Sequence, residues 1–200
     1  MPNLPFFILD VFATTKYTGN QLAVCLDDMG NLTDLQMQQI AREINFSETT
    51  FVASSKPVNH GYNTRIFTPA TELPFAGHPT LGTAFIIQQE LIKQQIDRVN
   101  LNYQVGQIPV DLQYIDHKPD LLWMHQQQPQ FYDPLNVETL AAVIGVNVSD
   151  IDLRYPIEPV STGLPFIIIP MNNLVAVSQA KLNLDLYDRV VADLPAQAIL

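Results

Sequence analysis

Glu48 and His78 are the side chains of this sequence best suited to moving a proton. His78 lies in Gly77-His-Pro-Thr-Leu-Gly-Thr83, at the mouth of a segment from Pro79 to Gln89 that carries no charge. A helix apolar on every side must be buried, and this one is too short to span a bilayer. Proline is favoured at the first helical position, so the order predicts a buried helix over 79–90 with His78 as its N-cap. The first N–H groups of a helix have no partners within it, which makes the mouth a ready anion site. An imidazole at that positive end has its charged form disfavoured and can act as a neutral hydrogen-bond donor. A histidine that only caps and packs fits the same residues.

Glu48 stands in Phe46-Ser-Glu-Thr-Thr-Phe51, between a helix and a strand. Strand alternation puts Glu48 and Thr50 on one face and Thr49 and Phe51 on the other. A carboxylate among apolar neighbours has its pKa lifted by desolvation, which suits a general acid/base that takes a proton and returns it. The plainer reading is a solvated glutamate at a strand end.

Other chemistries lack their residues. The Gly77 to Gly82 spacing matches a phosphate loop, but Thr83 follows directly and the lysine is absent. His60, His78, His117 and His125 have no metal-ligand spacing, so no metal site is expected. There is no Gly-x-Ser-x-Gly elbow. Cys25 is the one cysteine, which rules out an internal disulfide and fits a reducing compartment. The net charge of −10 disfavours nucleic acid as a partner. No basic leader followed by a long apolar stretch is present, and apolar runs are strand-sized, so a cytoplasmic protein without a membrane partner is expected.

Around these residues the chain reads as many short strands and one fully apolar helix. Strands are predicted at 5–12, 21–26, 47–53, 62–68, 98–103, 107–114 and 121–126. Thr33 and Gln36 have capping-box spacing, and Met37, Ile40, Ala41 and Ile44 form an apolar stripe, so a helix runs from Thr33 to a stop at Asn45. The order implies an α+β fold with a curved sheet wrapped on the buried helix. The stretch 126–134 reads as a linker dividing 1–126 from 127–200. Beyond it, Asn136 caps a helix ending at Gly145, strands follow at 158–162 and 166–171, and Asn183 or Asp185 caps a last helix that Pro195 stops. The helix-then-strand order of the two parts rhymes weakly, as an internal repeat would.

Several motifs in consistent order resemble the phenazine-biosynthesis PhzF-like isomerase family. They are Asp10-Val-Phe12, Gly19-Asn20 with Leu22-Ala-Val24, Ile40-Ala-Arg-Glu43, Asn45-Phe-Ser-Glu-Thr-Thr-Phe-Val52, Arg65-Ile-Phe-Thr-Pro69, Glu72-Leu-Pro-Phe-Ala-Gly-His-Pro-Thr-Leu-Gly-Thr-Ala84, and Ser161-Thr-Gly-Leu-Pro165. The resemblance implies a diaminopimelate-epimerase-like fold, with two similar halves that each roll a sheet around a central helix. It also implies cofactor-independent isomerisation, the best-known case being proton movement within trans-2,3-dihydro-3-hydroxyanthranilate. By the same resemblance Glu48 and His78 are catalytic, Ser47 and Gly77 help hold a small anionic substrate, and Ser161, Thr162 and Gly163 form the second half's edge of the site. A homodimer is implied as well.

Racemases of this fold work with two thiols, and Cys25 has no partner, so a single-carboxylate proton shuttle fits better. The second-half aspartate and serine beside a Gly-rich helix start have no counterpart before Leu200, and 127–200 is expected to be an unfinished second half of a longer protein. Two rival readings follow: a non-catalytic small-molecule binder or scaffold of the same fold, and an epimerase or racemase acting through Glu48.

Overall fold

The computed structural model describes residues 4–28, 30–196 and 198–200. It divides into two compact units, Met1–Gln126 and Gln127–Leu200.

The first unit is one sheet curled about a helix. Its strands are β1 (Phe6–Val11), β2 (Asn20–Leu26), β3 (Glu48–Val52), β4 (Tyr62–Phe67), β5 (Glu72–Leu73), β6 (Arg98–Tyr103), β7 (Gly106–Ile115) and β8 (Lys118–Met124). Their order is β1-β2-β3-β4-β6-β7-β8, with β5 added beside β4. β2 runs parallel to β3, and β4 parallel to β6, while the other neighbours are antiparallel. Alternation decides which side chains turn inward. Phe7, Leu9 and Val11 of β1, Leu22, Val24 and Leu26 of β2, and Val99, Leu101 and Tyr103 of β6 all join one apolar cluster.

That cluster surrounds α2 (Gly77–Ile86), whose Pro79, Thr80, Gly82, Thr83, Ala84 and Ile86 are buried. Burying side chains of this kind contributes about 1.5–3 kcal/mol for each large aliphatic group, which is why a helix without a charged face is stable here. Gly82 sets how closely α2 approaches β1 and β2. A Cβ there would come within 2.6 Å of Leu22 and 2.9 Å of both Leu9 and Val11. The helix does not end as a simple 79–90 segment. From Ile87 to Ile92 it widens into a π-turn, closed where the Lys93 N–H donates to the Gln88 carbonyl at 2.8 Å.

α1 (Asp34–Ile44) covers the other face of the sheet. It has the reciprocal Thr33–Gln36 capping box, and Asn45 ends it in the left-handed conformation, as its residue types dictate. Met37 and Ala41 pack with Cys25, Phe51 and Phe67. β3 is therefore covered on both faces, by α2 on one and α1 on the other.

The second unit has a four-stranded sheet in the order β12-β11-β10-β9, formed by β9 (Gln130–Phe131), β10 (Glu158–Ser161), β11 (Pro165–Ile168) and β12 (Ala198–Ile199). Three helices accompany it: α3 (Val137–Ile144), α4 (Leu174–Gln179) and α5 (Leu184–Val191). Asn136 and Asn183 cap α3 and α5 through their side chains, and Gly145 closes α3 with φ 66°. No helix among the described residues of this unit is encircled by its sheet in the way α2 is in the first.

Candidate active site

Glu48 opens β3, paired with Leu22 of β2. Alternation places Glu48, Thr50 and Val52 on the α2 side of the sheet. The Thr50 and Thr83 hydroxyls, both fully buried, meet at 2.8 Å and tie β3 to α2. One turn nearer the helix start, Glu48 Oε2 faces His78 Nε2 at 3.5 Å. Neither atom has a hydrogen-bond partner, although both are shielded from solvent. The side chains are 17% and 9% exposed, so little water is available to stabilise either charge.

Burial acts on the two groups in opposite directions. It raises the Glu48 carboxyl above its ordinary value, and it lowers the imidazole of His78, with the Gln21 carbonyl opposing in part. Both shifts favour the neutral form. The Asn20 side-chain amide lies 3.3 Å from His78 Nδ1.

The helix begins earlier than the proline suggests. Ala76 is the N-cap and adopts extended dihedrals, so Gly77 and His78 are the first two helical residues and His78 is not the cap. Pro79 at the third position is tolerated because the carbonyl its ring would strike belongs to Phe75, outside the helix. No side chain caps α2, and the Gly77 and His78 N–H groups lie within the turn that has no internal partners. A Cβ on Gly77 would meet only the Met124 methyl, at 3.7 Å. Ser47 precedes β3 and is exposed.

Ser161, Thr162 and Gly163 belong to the second unit, at the turn from β10 to β11. Ser161 is buried, and its hydroxyl accepts the N–H of Gly163 at 3.1 Å, with Gly163 at φ 144°. These three residues come together as a tight turn, while Ser47, Glu48, Gly77 and His78 lie in the first unit.

Two further polar side chains lie at the start of α2: Asn20, quoted above only within the Gly19-Asn20 motif, beside His78, and Tyr103 beside Thr80. Asn20 follows from the register of β2, which no local pattern specifies. Tyr103 ends β6 with its ring edge-on to Phe75 at 6.0 Å. Its buried hydroxyl lies beside Thr80 without a well-formed hydrogen bond, and burial pushes the phenol above its ordinary range. Cys25, by contrast, lies under α1 with its thiol pushed up to about 12 by burial and by Asp27, so it is an inert core residue. His60 and His117 occupy turns at positive φ, and His125 pairs with Asp111. Among the described residues there is no cluster of three or more His, Cys, Asp or Glu side chains that could hold a metal, and no helix long and apolar enough to cross a membrane.

The first unit, a sheet curled around a buried helix whose uncapped start faces a shielded carboxylate, has a mixed α+β fold that solved epimerase structures share. The solved structure of a hydroxyproline epimerase from Agrobacterium vitis shares the fold at 12% identity, with a TM-score of 0.55 over 81% of this chain and 50% of that one. The model of the phenazine biosynthesis-like PhzC-PhzF family matches residues 9–200, and the chain belongs to that family. It is 36% identical over 174 residues to the trans-2,3-dihydro-3-hydroxyanthranilate isomerase of Pseudomonas aeruginosa, covering 86% of this chain and 59% of that protein. The structure of a predicted epimerase from Pseudomonas aeruginosa superposes with a TM-score of 0.85 at 29% identity, over 98% of this chain and 69% of that one. The chain spans about three-fifths of the length of the curated relatives it matches.

Proposed function

We propose that Glu48 and His78 form the acid/base site of a cofactor-independent isomerase that moves a proton within a small conjugated carboxylic acid. The observation that carries this reading is the facing pair, Glu48 Oε2 and His78 Nε2 at 3.5 Å, shielded from water and without other partners. A carboxyl raised by burial is basic enough to take a proton from a carbon activated by conjugation, and acidic enough to give it back at another carbon of the same system. The imidazole, kept neutral by burial, would present its Nε2 face to the carboxyl group and the substrate. The N–H groups of Gly77 and His78, at the positive end of α2, would hold the substrate's own carboxylate. Ser47 and the Ser161–Gly163 turn are the further substrate contacts of this proposal.

The relative acting on trans-2,3-dihydro-3-hydroxyanthranilate supports that compound as the first probe. The test is incorporation of solvent deuterium from D2O into that compound and into a panel of carboxylated dienes and amino acids. Wild type is expected to incorporate label, and Glu48→Gln to slow incorporation by about 10²–10⁴-fold. Undiminished turnover by Glu48→Gln would overturn the assignment.

Epimerisation through the same carboxylate is the second reading, favoured by the similarity to the epimerase structure. It differs in outcome: label would enter at the original carbon with inversion, whereas isomerisation places it on a different carbon. Binding of the probe without any exchange would support the non-catalytic reading.

A further inference from the structure

We propose that α1 fixes the separation of Glu48 and His78, and that Arg65 and Glu72 are positioning residues for that pair. For turnover, the inference rests on the acid/base reading given above. The separation itself is measurable without it.

α1 carries Asp34, Gln38 and Arg42 four residues apart, so they stand in a row along one face. All three hold the hairpin formed by β4 and β5. Arg65 Nη1 donates to Asp34 Oδ1 at 2.6 Å, Gln38 Nε2 donates to the Thr68 carbonyl at 2.9 Å, and Arg42 Nε donates to the Pro69 carbonyl at 3.4 Å. Arg65 grips the hairpin from within. Its Nε and Nη2 donate to the two Glu72 carboxylate oxygens, each at 2.7 Å, and its guanidinium lies 5.1 Å from the centre of the Phe67 ring. The turn between is closed by Thr68, whose N–H and hydroxyl both donate to the Thr71 carbonyl.

What lies at the two ends of this assembly gives it meaning. Glu72 begins β5, and the chain then passes through Pro74, Phe75 and Ala76 directly into Gly77 and His78. The C-terminus of α1 passes through Asn45 into Ser47 and Glu48. One helix therefore delivers the carboxylate from its end and holds, by its polar row, the hairpin that delivers the imidazole. A fork of the Arg65–Glu72 kind fixes direction as well as distance, which a lysine ammonium does not reproduce. Arg98 and Asp111 form a comparable fork on β6 and β7, at 2.5 and 3.1 Å, on strands that do not lead into Glu48 or His78. That pair is a matched control.

The experiment reads the pair directly, by NMR titration of the His78 imidazole nitrogens and the Glu48 side-chain carboxyl in the full chain. Arg65→Met is expected to move the His78 midpoint up toward 6.5 and the Glu48 midpoint down toward 4.5 as the hairpin loosens and water enters. Arg65→Lys is expected not to restore either midpoint, and Arg98→Met to leave both in place. Exchange of deuterium into trans-2,3-dihydro-3-hydroxyanthranilate should fall by about 10²-fold in kcat, the order seen for a misplacement of about 1 Å, with KM little changed. Should Arg65→Met not fold, the double variant Gln38→Ala/Arg42→Ala, which removes two side-chain bonds to the hairpin, is expected to move both midpoints the same way. Folded variants with both midpoints unmoved would overturn the inference. Full turnover by Glu48→Gln would overturn the acid/base reading, while shifted midpoints in Arg65→Met would still support the positional one.

Discussion

Replacing Thr50 and Thr83 by valine, singly and together, tests whether the joint between the Glu48 strand and the His78 helix is as the structure describes. The two hydroxyls are 2.8 Å apart, and both residues are fully buried. Valine has nearly the volume of threonine, so the substitution removes the hydrogen bond with little change in packing. Either single variant leaves the other hydroxyl buried without its partner, at a cost of about 1–3 kcal/mol. The double variant removes both polar groups and is expected to fall within about 0.5 kcal/mol of wild type, since exchanging both partners for apolar groups of the same shape is nearly neutral. The expected coupling in the double-mutant cycle is therefore at least about 1 kcal/mol. Urea denaturation followed by circular dichroism and by the emission of Trp123 provides the assay. Trp123 is the sole tryptophan and lies in β8, so its signal reports on the first unit. Additive losses, with the double variant as unstable as the two single changes summed, would refute the reasoning.

Three further outcomes follow from the same geometry. Gly82→Ala is expected to destabilise the first unit by about 1–3 kcal/mol from overpacking against Leu9, Val11 and Leu22, less about 1 kcal/mol of improved helix propensity; Gly77→Ala, whose Cβ meets only Met124, is the control, and urea midpoints compare them. Because the folded-state Glu48 pKa is raised, its favourable contribution is full below 4.5 and is lost as pH rises through the folded value; Glu48→Gln should therefore be more stable than wild type at neutral pH, with the difference closing toward pH 4 in urea titrations. For His78 the folded value is lowered, so its contribution is present above 6.5 and is lost as pH falls toward the folded value; His78→Gln should flatten the decline in stability over that interval.

What could be read from the sequence was what a few neighbouring residues decide. The Thr33–Gln36 box, the Asn45 stop, the Asn136 and Gly145 ends of α3, and the alternation that puts Glu48 and Thr50 on one face all depend on local backbone chemistry, and each appears in the structure. α2 starts two residues before the position its proline predicts, because proline is compatible with any position of a first turn, not only the first. β5 and α4, at two and six residues, are too short to carry a periodic pattern. The roles of Asn20, Arg65 and Glu72 are not legible in the sequence for another reason. Their partners lie 58, 31 and 7 positions away, and the packing of β2 against α2 that brings Asn20 to His78 is a property of the whole curled sheet.

The state of the Glu48–His78 pair in the unliganded chain bears most directly on the central claim, and a joint carboxyl and imidazole NMR titration measures it. The account predicts a Glu48 midpoint above 4.5 and a His78 midpoint below 6.5. A Glu48 midpoint below 4.5 together with a His78 midpoint above 6.5 would describe a structural ion pair instead, and would contradict it.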